Sequence, residues 1–132
     1  MYIRDKAIKE IISKKEMYEI ISKSKVCHIG LVDNDIPYVL AFNFGFSNNT
    51  VYLHCAKEGY KLNILKKNNN VCIEFDTDHE LFARNEEVAC SWRMRYKSVI
   101  VWGKAKIISD FNEKTEALKI FMKNYSSLSF TF

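Results

Sequence analysis

The densest run of chemically capable side chains is VYLHCAKEGYKLNILKKNNNVCIEF, residues 51–75, which carries His54, Cys55, Lys57 and Lys61. Its order reads as a strand, a small-residue turn and a helix with Lys61 in the early turn. Uncapped backbone N–H groups at a helix start, joined by a lysine ammonium, form a site for a phosphate monoester. The plainer reading of Lys57 and Lys61 is two solvated charges at i, i+4, and spacing alone favours it. His54 ends a strand, where an imidazole either packs as a structural residue or donates a hydrogen bond or proton to a small molecule. A metal centre made from Cys27-His28 and His54-Cys55 is set aside and no metal is expected. Neighbours along a strand face opposite ways, so each dipeptide offers one ligand. His28 and His79 acquire no role.

Several chemistries are closed off by what is missing. Four glycines supply no G-x-G-x-x-G and no G-x-x-x-x-G-K-[ST], which excludes the dinucleotide and nucleoside triphosphate loops. Cys27, Cys55, Cys72 and Cys90 form no C-x-x-C pair and read as reduced, buried thiols. The charged start MYIRDKAIKEIISKKE is unlike a signal peptide, and no apolar run approaches the roughly 18 residues that span a bilayer. A cytoplasmic protein without a membrane partner is expected.

The elements that must position these residues follow from pattern. Ser13 and Glu16 have capping-box spacing, and Met17, Ile20 and Ile21 share a face, which predicts a helix over 14–23. A short apolar strand over 26–32 is followed by the turn Asp33-Asn34-Asp35 and a strand over 36–44 that is largely apolar on both faces. Ser47-Asn48-Asn49-Thr50 turns the chain into VYLHC, so 26–55 reads as an antiparallel meander. Leu62, Ile64 and Leu65 mark a helix over 57–67, VCIEF is a strand over 71–75, and the polar, aperiodic stretch 76–90 reads as a loop.

A long strand over 91–108 separates by parity. Its odd positions Val99, Val101, Gly103, Ala105 and Ile107 suit the inside of a small barrel. Its even positions Trp92, Met94, Tyr96, Ser98, Ile100 and Trp102 are also mostly apolar and need a ligand or second subunit to cover them. Asp110 and Glu113 cap a closing helix striped by Leu118, Phe121, Met122 and Tyr125.

YVLAFNFGF, then VYLHCAKEGYKLNILKKNNNVCIEF, then CSWRMRYKSVIVWGKAKII, in this order and spacing, resemble the nitroimidazole-resistance (Nim) branch of the pyridoxamine 5′-phosphate oxidase-like flavoproteins. The resemblance covers roughly residues 1–125, and H-x-A-x-E-G-x-K from His54 to Lys61 is its most specific part. It implies a mainly β, α+β fold, an FMN-binding split β-barrel working as a homodimer with flavin at the subunit interface. By position it places Leu40, Ala41, Phe42 and Asn43 along the isoalloxazine, His54 and Cys55 at the end of the neighbouring strand, Lys61 on the FMN phosphate and Ser98 at a polar flavin contact. It also raises His54 to the candidate catalytic residue. The oxidases hold the phosphate with an additional arginine and lysine on the second strand, where this chain has only apolar residues and Asn43. Members usually continue for one more strand after the last helix, so the domain is expected to lack that strand.

At 132 residues the chain is the size of one domain, 1–132, and its net charge of +4 is mild beside that of a dedicated nucleic-acid binder. A nucleic-acid-binding barrel is the weaker reading. Arg93, Arg95 and Lys97 share one parity and Trp92, Tyr96 and Trp102 the other, so phosphate contacts and stacking platform face apart. The expected function is flavin-dependent reduction of a small molecule such as a nitroimidazole; the alternative is a flavin- or haem-binding protein without turnover.

Overall fold

The structure is a computed structural model that describes residues 13–126, so the chain's end beyond Ser126 and any last strand lie outside the described residues. Helix α1 (Lys14–Lys23) starts where expected, with Ser13 Oγ accepting from the Glu16 N–H. It buries Ile20 and Ile21, and the hydroxyl of buried Ser24 donates to the carbonyls of Ile20 and Asp76 at 2.7 and 3.0 Å. That bond ties the helix end to the sheet below it.

Six strands follow: β1 (Cys27–Asp33), β2 (Ile36–Phe42), β3 (Phe44–Ser47), β4 (Thr50–Leu53), β5 (Asn70–Ala83) and β6 (Trp92–Lys104). They form an antiparallel four-stranded sheet in the order β2-β1-β5-β6 and a separate β3-β4 hairpin. The expected single meander over 26–55 is therefore two units. Asn43 interrupts the strand over 36–44, and the chain leaves the large sheet there. Asn48 and Asn49, at φ 50° and 58°, make the tight turn of the hairpin, a conformation their short polar side chains tolerate. Mostly β structure with three flanking helices is the split-barrel architecture, although the barrel is not closed among the described residues.

The stretch read as a loop over 76–90 is the largest correction. β5 continues to Ala83, because the long β6 offers a ladder that satisfies its backbone despite the polar sequence. Pairing runs from Asn70↔Lys104 to Thr77↔Lys97, slips, and resumes as Glu80↔Arg95 through Ala83↔Trp92. Two residues of β5, Asp78 and His79, thus stand against Tyr96, and Asp78 has φ 56°. VYLHC ends as a strand at Leu53, the helix over 57–67 starts at Tyr60, and β6 spans 92–104 of the expected 91–108.

One face of the large sheet is core. Cys27, Ile29 and Leu31 of β1, Val71, Ile73 and Phe75 of β5 and Val99 of β6 pack with Ile20, Ile21, Phe44 and Ile64. Val101 and Ala105 pack against this cluster as expected, but Gly103 is exposed although it pairs with Val71, and Ile107 is exposed beyond the end of the ladder at Lys104. Burial pushes the Cys27 thiol up to about 12, which makes it inert.

Helix α3 (Phe111–Lys123) is capped by Asp110, which accepts from the Glu113 N–H at 3.0 Å, and lies on the hairpin. Its end clamps the first residue of β3. The Phe44 N–H donates to Tyr125 Oη at 2.8 Å, Asn124 Nδ2 donates to the Phe44 carbonyl at 3.0 Å, and the Tyr125 hydroxyl donates to the Lys25 carbonyl at 2.7 Å. Gly45 permits this approach. A Cβ there would lie 2.5 Å from Phe121 Cα and 2.7 Å from Phe121 N, both backbone atoms. Gly45→Ala is expected to destabilise the fold by about 2–3 kcal/mol in denaturant titration through this forced displacement. Wild-type stability in the variant would show that α3 docks less closely.

Candidate functional site

The segment carrying Lys61 is set by local contacts. After β4 the chain turns through residues 54–59 into α2 (Tyr60–Lys67), and Gly59 supplies φ +145°, a left-handed conformation that glycine alone adopts without strain. Gly59 has no side chain to cap the helix, so the first-turn N–H groups have no side-chain acceptor. Tyr60 anchors this turn. Its hydroxyl donates to Asp33 Oδ2 at 2.5 Å and its ring meets Tyr38 edge-on at 5.0 Å, joining α2 to the β1–β2 hairpin. The hydrogen bond to Asp33 also raises the Tyr60 phenol above its ordinary pKa.

Lys61 is half-buried, with Nζ 5.2 Å from the centroid of the Phe42 ring at the end of β2. The fold thus brings together two residues that the sequence placed 19 positions apart. Alternation divides the rest of β2. Leu40 and Phe42 face inward against the core, whereas Ala41 is exposed on the outer face opposite His28, and Asn43 is the exposed link to β3.

His54 follows β4 directly and is exposed, its ring 6.2 Å from that of Phe121 on α3. The imidazole makes no hydrogen bond among the described residues, which leaves both nitrogens available. Cys55 beside it is half-buried and free. Because β4 pairs with β3, these two residues follow a strand of the hairpin rather than one adjoining β2. Ser98 stands on the outer face of β6 opposite Asp76, three strands from Ala41. At ~4.8 Å per strand this is ~14 Å within one chain.

The outer face also holds a cluster that sequence reasoning missed. His28 pairs with Glu74 across β1 and β5, with Nδ1 to Oε1 at 3.9 Å, and His79 Nε2 lies 2.6 Å from Asp76 Oδ1. Glu74 Oε1 is shut off from solvent without a hydrogen-bond donor. Burial, followed by a hydrogen bond to Asp76 and its charge, pushes the Glu74 carboxyl up to about 7. Asp76 is lowered, chiefly by that hydrogen bond from Glu74 and then by His79 and His28. His28, Glu74 and Asp76 offer ligand atoms within 4.8 Å of one another, although exposed side chains gather this way without an ion. The available signal was the i, i+2 spacing of Glu74 and Asp76, which puts both carboxyls on one face.

The pH consequence has a definite sign. Glu74 binds its proton more tightly in the folded chain, so its contribution to stability is full below its ordinary 4.5 and is lost as pH rises through about 7. Asp76 contributes above its ordinary 3.8 and loses that contribution only as pH falls below it. Thermal melts between about pH 5 and about pH 8 are expected to show wild-type stability declining, and Glu74→Gln declining less. Parallel profiles for the two proteins would mean that Glu74 titrates freely.

The fold has counterparts among known proteins. Residues 13–130 match the sequence family described as pyridoxamine 5′-phosphate oxidase. A candidate 5-nitroimidazole antibiotic resistance protein from Bacteroides thetaiotaomicron is 39% identical over 92% of this chain and 72% of its own, with a TM-score of 0.81. The flavocytochrome Anf3 from Azotobacter vinelandii is 25% identical with a TM-score of 0.70, covering 85% of this chain and 51% of its own. An FAD and heme binding protein from Mycobacterium smegmatis shares the fold at 18% identity and a TM-score of 0.73, over 86% of this chain and 54% of its own. The chain spans about half the length of these last two. Among curated proteins there is no match. With a family match across nearly the whole chain, the expected resemblance is confirmed, and this chain belongs to the pyridoxamine 5′-phosphate oxidase family of flavin-binding split barrels.

Proposed function

We propose that the protein binds FMN and catalyses flavin-dependent reduction of a small molecule, with nitroimidazoles the substrate class suggested by its Bacteroides relative. The observation that carries this reading is Lys61, half-buried in the uncapped first turn of α2 and held against Phe42. An ammonium and free N–H groups at one helix start suit a phosphate monoester, and the exposed residues Ala41 and Asn43 leave room for a flat ring near it. When bound, the flavin supplies the reducing electrons. Lys61 neutralises the phosphate, residues 40–43 and Cys55 line the ring, and His54 donates a hydrogen bond or proton to the substrate from its unoccupied imidazole.

A second copy completes this arrangement. Trp102 is 75% exposed, Leu81 62% and Tyr96 61%, and with Met94, Ile100 and Trp92 they continue one apolar stripe on the outer face. Ser98 lies in that stripe, too far from Ala41 to share a ring with it in one chain, but a homodimer could offer it to the flavin held by the partner. Cytoplasmic residence suits the four free cysteines, and no helix among the described residues is long and apolar enough to cross a membrane.

The absorbance spectrum of the purified protein separates flavin from haem, and two variants then test the site. Lys61→Gln is expected to weaken FMN by about 1.5–3 kcal/mol while leaving riboflavin affinity nearly unchanged. In FMN-loaded protein, His54→Ala is expected to slow nitroimidazole reduction roughly 10- to 1,000-fold. Equal losses for both flavins would assign Lys61 to pocket shape, and unchanged turnover would assign His54 to packing.

Dimerisation is tested separately by sedimentation at micromolar concentration. Wild type with saturating FMN is expected to sediment as a dimer and Trp102→Glu as a monomer, since a buried carboxylate without a partner opposes association. A monomeric wild type would overturn the shared site.

A further inference from the structure

Beyond the core, on the inner side of the large sheet, the ends of β5 and β6 enclose a cleft of about 590 Å³ lined by Phe82, Arg84, Cys90, Ser91, Arg93 and Arg95, with Ala83. The chain contains sixteen lysines and only four arginines, and three of those arginines line this one cleft. Elsewhere the sequence meets its need for positive charge with lysine. Arginine differs in offering a planar fork of donors and in stacking on aromatic rings. The stacking is in use here. Phe82 stands opposite Arg93 in the ladder, and the Arg95 guanidinium lies 4.0 Å above the centroid of the Phe82 ring.

None of the three guanidinium groups forms an ion pair among the described residues, although the cluster concentrates three like charges. Glu80 faces Arg95 across the ladder without an ion pair to it. The Ser91 hydroxyl is occupied, donating to the carbonyls of Asn85 and Val88 at 2.5 and 2.8 Å, and it fixes the turn that presents Arg84. Three gathered cations without a counter-charge repel one another, and an oxyanion between them removes that repulsion while filling their donor forks.

We propose that this cleft is a second anion site, binding a phosphate-bearing ligand of the pyrophosphate or phosphomonoester class through Arg84, Arg93 and Arg95. It is distinct from the helix start that carries Lys61, and it does not rest on the flavin reading. The phosphate could belong to a free ligand or to a flavin, and the test below distinguishes the two sources.

Calorimetric titration of the full chain with inorganic pyrophosphate at low ionic strength is expected to show saturable binding, unchanged when FMN is present at one equivalent per chain. Arg93→Gln with Arg95→Gln is expected to weaken it by about tenfold or more. Arg95→Lys should weaken it too, because lysine retains the charge but loses the fork and the stack. Arg84→Gln, outside the ladder, reads out the same loss should the double change disturb the strands. Absence of saturable binding, full affinity in the lysine variant, or no loss in the glutamine variants would overturn the proposal. Displacement of pyrophosphate by FMN would overturn it as a separate site and identify the cleft as part of the flavin's own.

Discussion

The close approach of α3 to Gly45 is the constraint on which the arrangement of the remaining elements depends. Residues 44–45 sit where the chain has just left the large sheet, and three things converge on them. The Phe44 ring lies edge-on to Phe75 at 4.9 Å and so keys the hairpin into the core. Its backbone N–H and carbonyl, which would otherwise be stranded at a sheet boundary, are taken by Tyr125 and Asn124. The absent side chain at Gly45 then lets the helix backbone itself act as the packing surface. Phe121 on that helix is also the neighbour of His54, so the same helix contacts both the hairpin and the histidine.

The two faces of the large sheet meet different requirements. The inner face is apolar where it joins the core cluster, through Cys27, Ile29 and Leu31 of β1, Val71, Ile73 and Phe75 of β5 and Val99 of β6. The outer face combines aromatic residues at its β6 edge with the His28, Glu74, Asp76 and His79 cluster near its centre. Carboxyls with opposed proton affinities, flanked by imidazoles, can lie among apolar neighbours because one carboxyl holds a proton that the other accepts. This mixture tolerates both water and a covering surface.

Much of this was legible in the sequence. Capping pairs at Ser13/Glu16 and Asp110/Glu113 fixed two helix starts, because a side-chain acceptor three residues before an orphan N–H has a single local solution. Parity along β6 separated its exposed apolar stripe from Val99 and Val101 before any partner strand was known. The split at Asn43 was not legible, since an apolar alternation does not reveal that its second half pairs with a different strand. Residues 76–83 looked like a loop because Asp76 and Asp78 have low strand preference and the polar run shows no apolar alternation, and only β6 makes them a strand. At the site, the nearness of Lys61 to Phe42 depends on Tyr60 reaching Asp33, a tertiary contact without a local pattern.

The extra residue at Asp78–His79 has a consequence for how this chain can vary. A strand has a reading phase of two, and inserting one residue advances that phase by half a cycle for everything after it. Upstream, even-numbered residues such as Glu74 and Asp76 point outward; downstream, Leu81 joins Met94 on the outside and Phe82 turns inward beside Arg93. Loss of one of the two bulged residues would straighten the ladder and leave Leu81 opposite Met94 on the outside and Phe82 opposite Arg93 on the inside, so the arginine cleft and the outer stripe would both keep their register. A segment with the composition of a tolerant surface loop is therefore the one place in this ladder that can shed a residue and keep both faces, and changes of residue type at Asp78 and His79 that keep the length preserve them as well.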